Sequence, residues 1–401
     1  MELHGENFKH LGIKADLEEL VDMHFSGLHS GGGRSSIRGG QTAANEALAA
    51  LDIRGYAKNR NEVLPRQSRG ATVMSPYVRH NIIPLQQLWD NVADAPFADK
   101  DKYRDELLWQ EYARHLYARV GTRLFENLRF EQVRDVEGDG WPEGMACIDS
   151  VLDELDQDGW LVNQTRMWLA SHWTVRNGKG WLHGQERMYR ELIDGSRAAN
   201  LLGWQWTVGT GTGKPYGFAR WQVQKRSPGL CNTCPVSKKC PIEKFPAEQE
   251  LYSIATDPLV GADPTPEYTS GPLVTLRNHK PDYVLLTVDS MGDSDPALVA
   301  NPDLPVAFVF NEDALRKLQV SSKRIFFYLE TLQDLSNRRD VHVFLGDPVE
   351  FAKTNKVAIT HAPVPSFAKY KNLSEVHPYQ WLRKPHSGSV KSFSAWRGKL
   401  K

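Results

Sequence analysis

Three cysteines lie close together in the segment CNTCPVSKKC, at Cys231, Cys234 and Cys240. The chain has only 4 cysteines in 401 residues, and in a reducing compartment such a cluster indicates a metal or iron-sulfur site rather than disulfide bonds. A tetrahedral zinc site is one alternative, although zinc sites more often use two close pairs of ligands. The spacing therefore predicts thiolate ligation and leaves the bound species open.

A second group of residues suits a flat aromatic ligand. Within DGWLVNQTRMWLASHW, the residues Trp160, Asn163 and Met167 are spaced at i, i+3 and i+7, so a helix would place them on one face with Arg166 beside them. An indole, an amide and a thioether together fit a ligand with polar edges. A plain core face explains Trp and Met at this spacing more often, so the pattern alone does not decide.

The elements that must position these residues change type along the chain. Apolar residues recur at helical spacing up to about residue 250, whereas YVLLTV, PVAFVFN, VHVFLG and KVAIT are short β-branched and aromatic runs that alternate with helical stretches. This alternation is typical of a small parallel α/β domain. We predict a helical domain over 1–252, a linker over 253–280, an α/β domain over 281–368 and a basic tail over 369–401.

Charge and hydropathy narrow the possible partners. Lys+Arg and Asp+Glu both number 49, so nucleic-acid binding would need a local basic patch. The basic tail is one candidate, because Tyr379, Trp381 and Trp396 are interleaved with its cations, although a solvated tail without a ligand explains it equally well. No stretch approaches the roughly 20 apolar residues of a membrane span. We expect a cytoplasmic protein without a membrane partner, and a monomer.

Five sequence blocks, taken together and in order, resemble the flavin domain of DNA photolyases and cryptochromes. They are GGQTAANEALAAL, TVMSPYVRHNIIP, DELLWQEYARHL, DGWLVNQTRMWLASHW and LIDGSRAANLLGWQWTVGTGTGKPY. The similarity runs from about Gly39 to Tyr216 and implies a mostly α-helical FAD-binding domain. The later strands resemble the Rossmann-like antenna domain that normally comes first in this family, which implies a circular permutation. The family's arginine-rich turn is absent from VDSMGDSDP, so an antenna chromophore is left uncertain.

The resemblance implies a set of FAD contacts. Tyr56, Thr72, Met74 and Ser75 would line the phosphates and the ribityl chain, and Arg166 paired with Asp194 would favour a reduced, anionic flavin. An ordinary structural ion pair is the alternative for that couple. The other residues expected in the cofactor-binding set are Gln110, Trp160, Asn163, Ser196, Ala199 and Asn200.

The same resemblance implies a lesion-binding site. Trp109 and Trp206 would be the two aromatic walls around an extruded pyrimidine dimer, and Glu106 would hydrogen-bond to it. Asn163 and Met167 would close the floor. Since Asn163 stands where (6-4) repair enzymes carry histidine, a cyclobutane dimer is the expected substrate.

Electron supply to the flavin is predicted through Trp204 and Trp181, which match the first two tryptophans of the family's chain. The third position falls near Leu128, which cannot be oxidised in that role. Trp173, Trp168 or Tyr112 are the alternatives for the missing member.

The cysteines also fit this resemblance. Cys147 together with Cys231, Cys234 and Cys240 looks like the ligand set of iron-sulfur bacterial cryptochromes and photolyases, which implies a [4Fe-4S] cluster. Zinc stays the main alternative.

The expected function is light-dependent repair of cyclobutane pyrimidine dimers in DNA by electron transfer from reduced FAD, catalysed by a deoxyribodipyrimidine photo-lyase. Four departures from the family pattern, at Tyr103, Gln110, Gln164 and Ser196, weaken flavin or DNA contacts. A blue-light photoreceptor of the cryptochrome type without repair activity is therefore the alternative.

Overall fold

The protein contains two compact units, and the computed structural model describes residues 8–132, 136, 138 and 140–400. The sheet unit consists of residues 8–51, 74–90 and 265–385, and the helical unit consists of residues 52–73, 91–264 and 386–400. Each unit is therefore assembled from three separate stretches of chain. The first seven residues of the predicted helical domain and the last residue of the predicted tail lie outside the described residues.

The sheet unit is built on one six-stranded sheet. Its strands are β1 Lys9–Leu11, β2 Tyr283–Leu286, β3 Val306–Asn311, β4 Val341–Gly346, β5 Val357–Thr360 and β6 Ser374–His377, in the spatial order β1-β4-β3-β2-β5-β6. All neighbouring strands are parallel except β1, which is antiparallel to β4. The four predicted strands are confirmed, and their near-continuous apolar runs are typical of parallel strands that are buried on both faces.

Helices connect and cover these strands. The one with the clearest sequence pattern, Ser322–Leu335, is capped by the Ser321 side chain, which accepts a hydrogen bond from the Lys323 N–H. The other helices that include residues of this unit are Leu17–His24, Gln41–Ala49, Ser75–Arg79, Leu85–Asn91, Pro266–Ser270, Pro296–Ala300, Glu312–Leu318 and Pro348–Thr354.

The helical unit carries the longest helix, Phe97–Val120. Its other helices are Tyr56–Asn59, Ala146–Asp158, Asn163–Ser171, Trp181–Glu191, Arg197–Val208, Arg220–Arg226, Pro258–Gly261 and Phe393–Arg397. The helices Trp181–Glu191 and Arg197–Val208 pack closely on each other, and Asn163–Ser171 packs against both. Among the described residues, no helix is long and apolar enough to cross a membrane.

These units differ from the predicted domain boundaries. Residues 8–51 cluster with the sheet because the Ser322–Leu335 helix binds them: Glu330 pairs with Arg34 at 2.6 Å, and Asp334 accepts a hydrogen bond from the Gln41 N–H at 2.9 Å. Sequence periodicity reports local structure and carries no signal for such distant contacts.

The predicted basic tail is also divided. Residues 374–377 form the buried strand β6, and Trp396 in the helix Phe393–Arg397 is 0% exposed. This segment packs into the fold despite its cations, because burying its apolar side chains removes a large apolar area from water. The segment is therefore part of the fold rather than a solvated tail.

Candidate cofactor site

Four of the predicted flavin residues lie in or beside the loop 192–196, between two packed helices: Arg166, Asp194, Ser196 and Asn200. The Ile193 N–H donates to the Gly159 carbonyl at 2.8 Å, which holds this loop beside Trp160 and Leu161. The Arg166 Nε donates to the Leu161 carbonyl at 3.0 Å. The loop, the residues before the Asn163–Ser171 helix and the first turn of that helix therefore converge.

Arg166 and Asp194 form the predicted ion pair. The Arg166 guanidinium donates to Asp194 Oδ2 at 2.7 Å, and the side chains are 21% and 3% exposed respectively. Because Asp194 is almost fully buried, its charge is screened little by water. The pair places fixed opposite charges at this end of the helices.

Two buried polar atoms at this site have no hydrogen-bond partner among the described residues. They are Asp194 Oδ1 and Asn200 Nδ2, one acceptor and one donor. Leaving a buried polar group unpaired costs about 1–3 kcal/mol, so such atoms in a native fold are commonly paired with a ligand or an ordered water. A ligand whose edge offers both a donor and an acceptor, as the isoalloxazine ring of FAD does, fits this pair.

Ser196 and Asn200 are fixed by the start of the helix Arg197–Val208. Ser196 Oγ accepts a hydrogen bond from the Ala199 N–H at 3.3 Å, and Asn200 Oδ1 accepts one from the Ser196 N–H at 3.1 Å. Ser196 therefore acts as the N-terminal cap of this helix. Its hydroxyl, like the Ala199 N–H, is used within the chain.

The prediction that Trp160 shares a helical face with Asn163 and Met167 is wrong in one respect. The helix begins at Asn163, because Gly159 ends the preceding helix with a φ of 64° and Val162 is extended. Trp160 is 7% exposed and lies in the connection between the helices. It is brought to the site by the loop contacts at Gly159, whereas Asn163 is exposed at the first helical position.

The residues predicted to line the FAD phosphates fall in both units. In the helical unit, Tyr56 packs edge-on against Tyr103 with ring centroids 5.0 Å apart, and Thr72 Oγ1 lies 3.4 Å from the Tyr103 hydroxyl. Burial raises the pKa of Tyr103 to about 12 and also raises the pKa of Tyr56, so both phenols are neutral donors. Gln110 is half-buried on the long helix of this unit.

Met74 and Ser75 belong to the sheet unit. Met74 is 3% exposed and precedes the short helix Ser75–Arg79, in which Ser75 is the first residue. Their placement in the flavin site stays a prediction.

The predicted lesion residues are placed unequally. Trp206 is 37% exposed and leans on Tyr216, with ring centroids 5.6 Å apart, so one aromatic wall is accessible. Glu106 pairs with Lys102 at 2.9 Å and with Arg60 at 3.4 Å. Met167 is half-buried.

Trp109, the second predicted wall, is already stacked. The ring of Phe393 lies on it with centroids 4.1 Å apart and planes 10° apart. No sequence signal pointed to this contact, because the two residues are far apart in the chain and no local periodicity relates them.

The tryptophans predicted for electron transfer are both buried. Trp204 is 1% and Trp181 is 5% exposed, and Trp181 Nε1 donates to Asn127 Oδ1 at 2.9 Å. A Cβ added to Gly184 would lie 2.5 Å from Trp204 and 2.9 Å from Trp173, so both indoles reach this glycine. Trp173, one of the three suggested substitutes for Leu128, therefore approaches Trp204 here.

One buried residue was missed by the sequence reasoning. Gln185 is 0% exposed, and within the described part of the chain neither its amide nitrogen nor its amide oxygen has a hydrogen-bond partner. It follows Gly184 on the buried side of the helix Trp181–Glu191. A glutamine on a polar helix shows no pattern that separates it from an exposed one, so only the fold reveals it.

The four cysteines all lie in the helical unit. Cys147, at the start of the helix Ala146–Asp158, has its pKa raised to about 12 by burial first and then by the negative charges of Cys231, Cys234 and Cys240. That helix packs against the turn Leu230–Asn232, and Cys234 Sγ lies 4.0 Å from the Gly144 carbonyl oxygen.

No group of three or more His, Cys, Asp or Glu in residues 8–132, 136, 138 and 140–400 is arranged to hold a metal ion. A four-thiolate zinc site would need such an arrangement, so zinc gains no support. The predicted iron-sulfur ligand set is not confirmed by it either.

Part of the helical unit is similar to a known protein family. Residues 103–227 match the family described as the FAD binding domain of DNA photolyase. Over these residues the helical unit is similar to the FAD-binding domain of DNA photolyases. This match covers Arg166, Asp194 and Asn200 together with Glu106 and Trp109.

Curated relatives agree with this family match. The deoxyribodipyrimidine photo-lyase of Vibrio cholerae serotype O1 is 30% identical over 164 residues, 37% of this chain and 35% of that protein. That of Synechococcus sp. is 26% identical over 216 residues, 49% of this chain and 44% of the relative. That of Escherichia coli is 32% identical over 119 residues, which are 27% of this chain and 25% of the relative. The chain thus spans less than half the length of each of these relatives.

Among solved structures, a bacterial class III photolyase from Agrobacterium tumefaciens is similar over 47% of this chain and 42% of its own, with 22% identity and a TM-score of 0.39.

Proposed function

We propose that the protein is a light-dependent lyase that splits cyclobutane pyrimidine dimers in DNA with reduced FAD. The observation that carries the proposal is the ion pair of Arg166 with buried Asp194, with Asp194 Oδ1 and Asn200 Nδ2 left unpaired beside it among the described residues. When bound, FAD would supply light-driven electron transfer to the dimer, with the electron returned to the flavin so that no net redox change results.

The chain's own residues would bind and orient both partners. Arg166 and Asp194 would hold charge beside the flavin ring, and the Asn200 amide would donate to its edge. Exposed Trp206 would replace the stacking that an extruded dimer loses. Glu106 would offer the dimer a hydrogen bond in exchange for its present partners Lys102 and Arg60.

The decisive experiment is a repair assay. The reduced protein is illuminated with blue light in the presence of an oligonucleotide that contains one cyclobutane dimer, and dimer content is measured over time. We expect it to fall in the light and stay constant in the dark. A (6-4) photoproduct of the same sequence, which we expect to be left unrepaired, tests the choice of lesion.

One observation favours the alternative, a blue-light photoreceptor without repair activity. Trp109 is stacked on Phe393 rather than open to a base. A flavoprotein that shows light-induced absorbance changes but leaves dimer content unaltered after prolonged illumination would be a photoreceptor of this kind.

We further propose that Cys147, Cys231, Cys234 and Cys240 hold a [4Fe-4S] cluster, which would tie the helix Ala146–Asp158 to the loop that follows Arg220–Arg226. Support comes from the packing of the helix that carries Cys147 against the turn Leu230–Asn232, and from Cys234 Sγ lying 4.0 Å from the Gly144 carbonyl oxygen. A cluster keeps its thiolate ligands further apart than one ion does, because irons and sulfides lie between them.

Iron content tests this cluster. The Cys234→Ser variant should lose most of its iron and its broad visible shoulder, whereas the adjacent Thr233→Ala control keeps both. Unchanged iron content in Cys234→Ser would remove the cluster.

The remaining expectations are proposals of the same kind. A sheet unit whose strands β2 to β6 follow the flavin domain in sequence is consistent with a circularly permuted relative of photolyases, and we propose a scaffold role for it. A cytoplasmic location and a monomeric state complete the proposal.

A further inference from the structure

Residues 386–400, the C-terminal segment, lie along the long helix Phe97–Val120 within the helical unit. The Arg119 guanidinium donates to the carbonyl of Gly388 at 2.6 Å and also to the carbonyl of His386. The Tyr112 hydroxyl donates to the Val390 carbonyl at 2.7 Å. These bonds fix the path of the segment toward Trp109 by its backbone.

Trp396 anchors the far end of this segment. It is 0% exposed, and its Nε1 donates to His115 Nδ1 at 2.9 Å. The next residue, Arg397, pairs with Asp105 at 2.5 Å. A fully buried indole with its polar atom satisfied has no low-cost way to leave, so this end stays attached.

Phe393 differs from Trp396 in how it is held. Its side chain has no polar atom, and it packs against the rings of Trp109, Tyr112 and Trp396 and near the Arg397 guanidinium. It lies on Trp109 at 4.1 Å with planes only 10° apart. This nearly parallel arrangement is the one a base takes on an aromatic side chain in nucleic-acid complexes.

We propose that Phe393 is a stacking gate for the lesion site: it covers Trp109 when DNA is absent and turns aside when an extruded base takes its place. The inference rests on the proposed function, because that assigns Trp109 to the lesion. The anchor at Trp396 keeps the segment in place, so opening needs a change at Phe393 rather than undocking of the whole segment. The gate selects for bases that are already extruded, since a base still paired in the duplex cannot replace the ring.

Equilibrium binding in the dark tests the gate directly. Fluorescence anisotropy compares the wild type with Phe393→Ala and Phe393→Leu on matched oligonucleotides with and without one cyclobutane dimer. We expect Phe393→Ala to bind the dimer-containing strand about tenfold tighter, because no ring has to be displaced, while its affinity for the undamaged strand is unchanged. Phe393→Leu should lie between, and Ser394→Ala, exposed in the same helix, should match the wild type.

Two results would overturn the gate: equal dimer affinity in the wild type and both Phe393 variants, or weaker binding by both variants. Melting curves show whether each variant is folded, and if Phe393→Ala is not, Phe393→Leu carries the test. Repair activity is scored separately. Tighter binding without any repair in light keeps the gate and removes the lyase, whereas repair at unaltered affinity keeps the lyase and removes the gate.

Discussion

Two buried carboxylates, one in each unit, are used in opposite ways. In the helical unit, Asp194 pairs one oxygen with Arg166, and its other oxygen has no partner among the described residues. In the sheet unit, Asp295 is 1% exposed, and both of its oxygens are used: Oδ1 accepts from the Leu298 N–H at 2.9 Å, and Oδ2 accepts from the Ser290 hydroxyl.

A buried carboxylate oxygen without a partner within the protein is a candidate ligand contact, whereas a fully paired carboxylate is structural. Asp295 lies beyond the carboxyl ends of β2 and β5, where open α/β sheets commonly bind ligands, and Thr360 at the end of β5 accepts the Ala297 N–H at 3.0 Å. The chain itself supplies the partners at this edge, as expected for a scaffold. Around Asp194 the described residues leave one carboxylate oxygen without a partner, as expected for a cofactor site.

The largest effect is expected from removing Asp194, the carboxylate with one oxygen unpaired among the described residues. Asp194→Ala deletes a charged partner from the proposed flavin site, and we expect FAD affinity to fall about 100-fold, because hydrogen bonds to charged groups contribute about 1.5–3 kcal/mol. Flavin per protein, read from absorbance after gel filtration, measures it. Asp153→Ala, at an exposed position of the helix Ala146–Asp158, is the control; undiminished flavin in Asp194→Ala would contradict the assignment.

Removing Asp295, whose two oxygens are both paired, should lower stability and leave flavin binding unchanged. Asp295→Ala strands the Ser290 hydroxyl and uncaps the helix Pro296–Ala300, so the free energy of unfolding should fall by about 2 kcal/mol with flavin content per folded protein unchanged. Chemical denaturation measures the loss, and the exposed Asp303→Ala is the control. A variant that loses flavin but not stability would erase the contrast between the two sites.

The pH dependence of stability sharpens the same point. Burial raises the pKa of Asp295 above its ordinary value of 3.8. Because its pKa is raised in the folded state, the stabilisation that Asp295 contributes is fully present below its pKa in the unfolded chain. This stabilisation is lost as the pH rises through its pKa in the folded protein. The free energy of unfolding of the wild type, relative to that of Asp295→Asn, should therefore fall as the pH is increased above about 4, by at most about 1.4 kcal/mol per pH unit. A difference that is constant with pH would mean an unshifted carboxyl.

The smallest expected effect concerns the cap beside the cofactor site. Ser196→Ala removes the hydroxyl that accepts the Ala199 N–H, which should cost about 1 kcal/mol of unfolding free energy. Ser196→Thr keeps a capping hydroxyl and should lose much less. A loss of flavin in Ser196→Ala that exceeds its loss of stability would show that Ser196 also serves the ligand.

Local pattern predicted much of this fold. The apolar runs of β2 to β5 and the periodicity of Ser322–Leu335 identified those elements, and the ordered flavin-domain blocks brought Arg166 and Asp194 together correctly. β1 and β6 were not predicted, because three or four residues of mixed polarity carry too little periodic signal.

In the candidate site, prediction from the sequence was limited by contacts between residues that are far apart in the chain. The stacking of Phe393 on Trp109 and the burial of Gln185 without a partner among the described residues depend on which helices meet, and that information is absent from either local sequence. The family resemblance described residues that relatives share, so it was silent about the segment that carries Phe393.

The pairing of β1 with β4 has a consequence for synthesis on the ribosome. Lys9 pairs with Leu345 and Leu11 with Val343, so the first strand emerges long before its neighbour has been translated. Contacts of such high sequence separation form slowly and leave backbone groups open in the meantime. The nascent polypeptide therefore carries β1 unpaired through most of elongation, and the sheet is completed only after β4 has been translated.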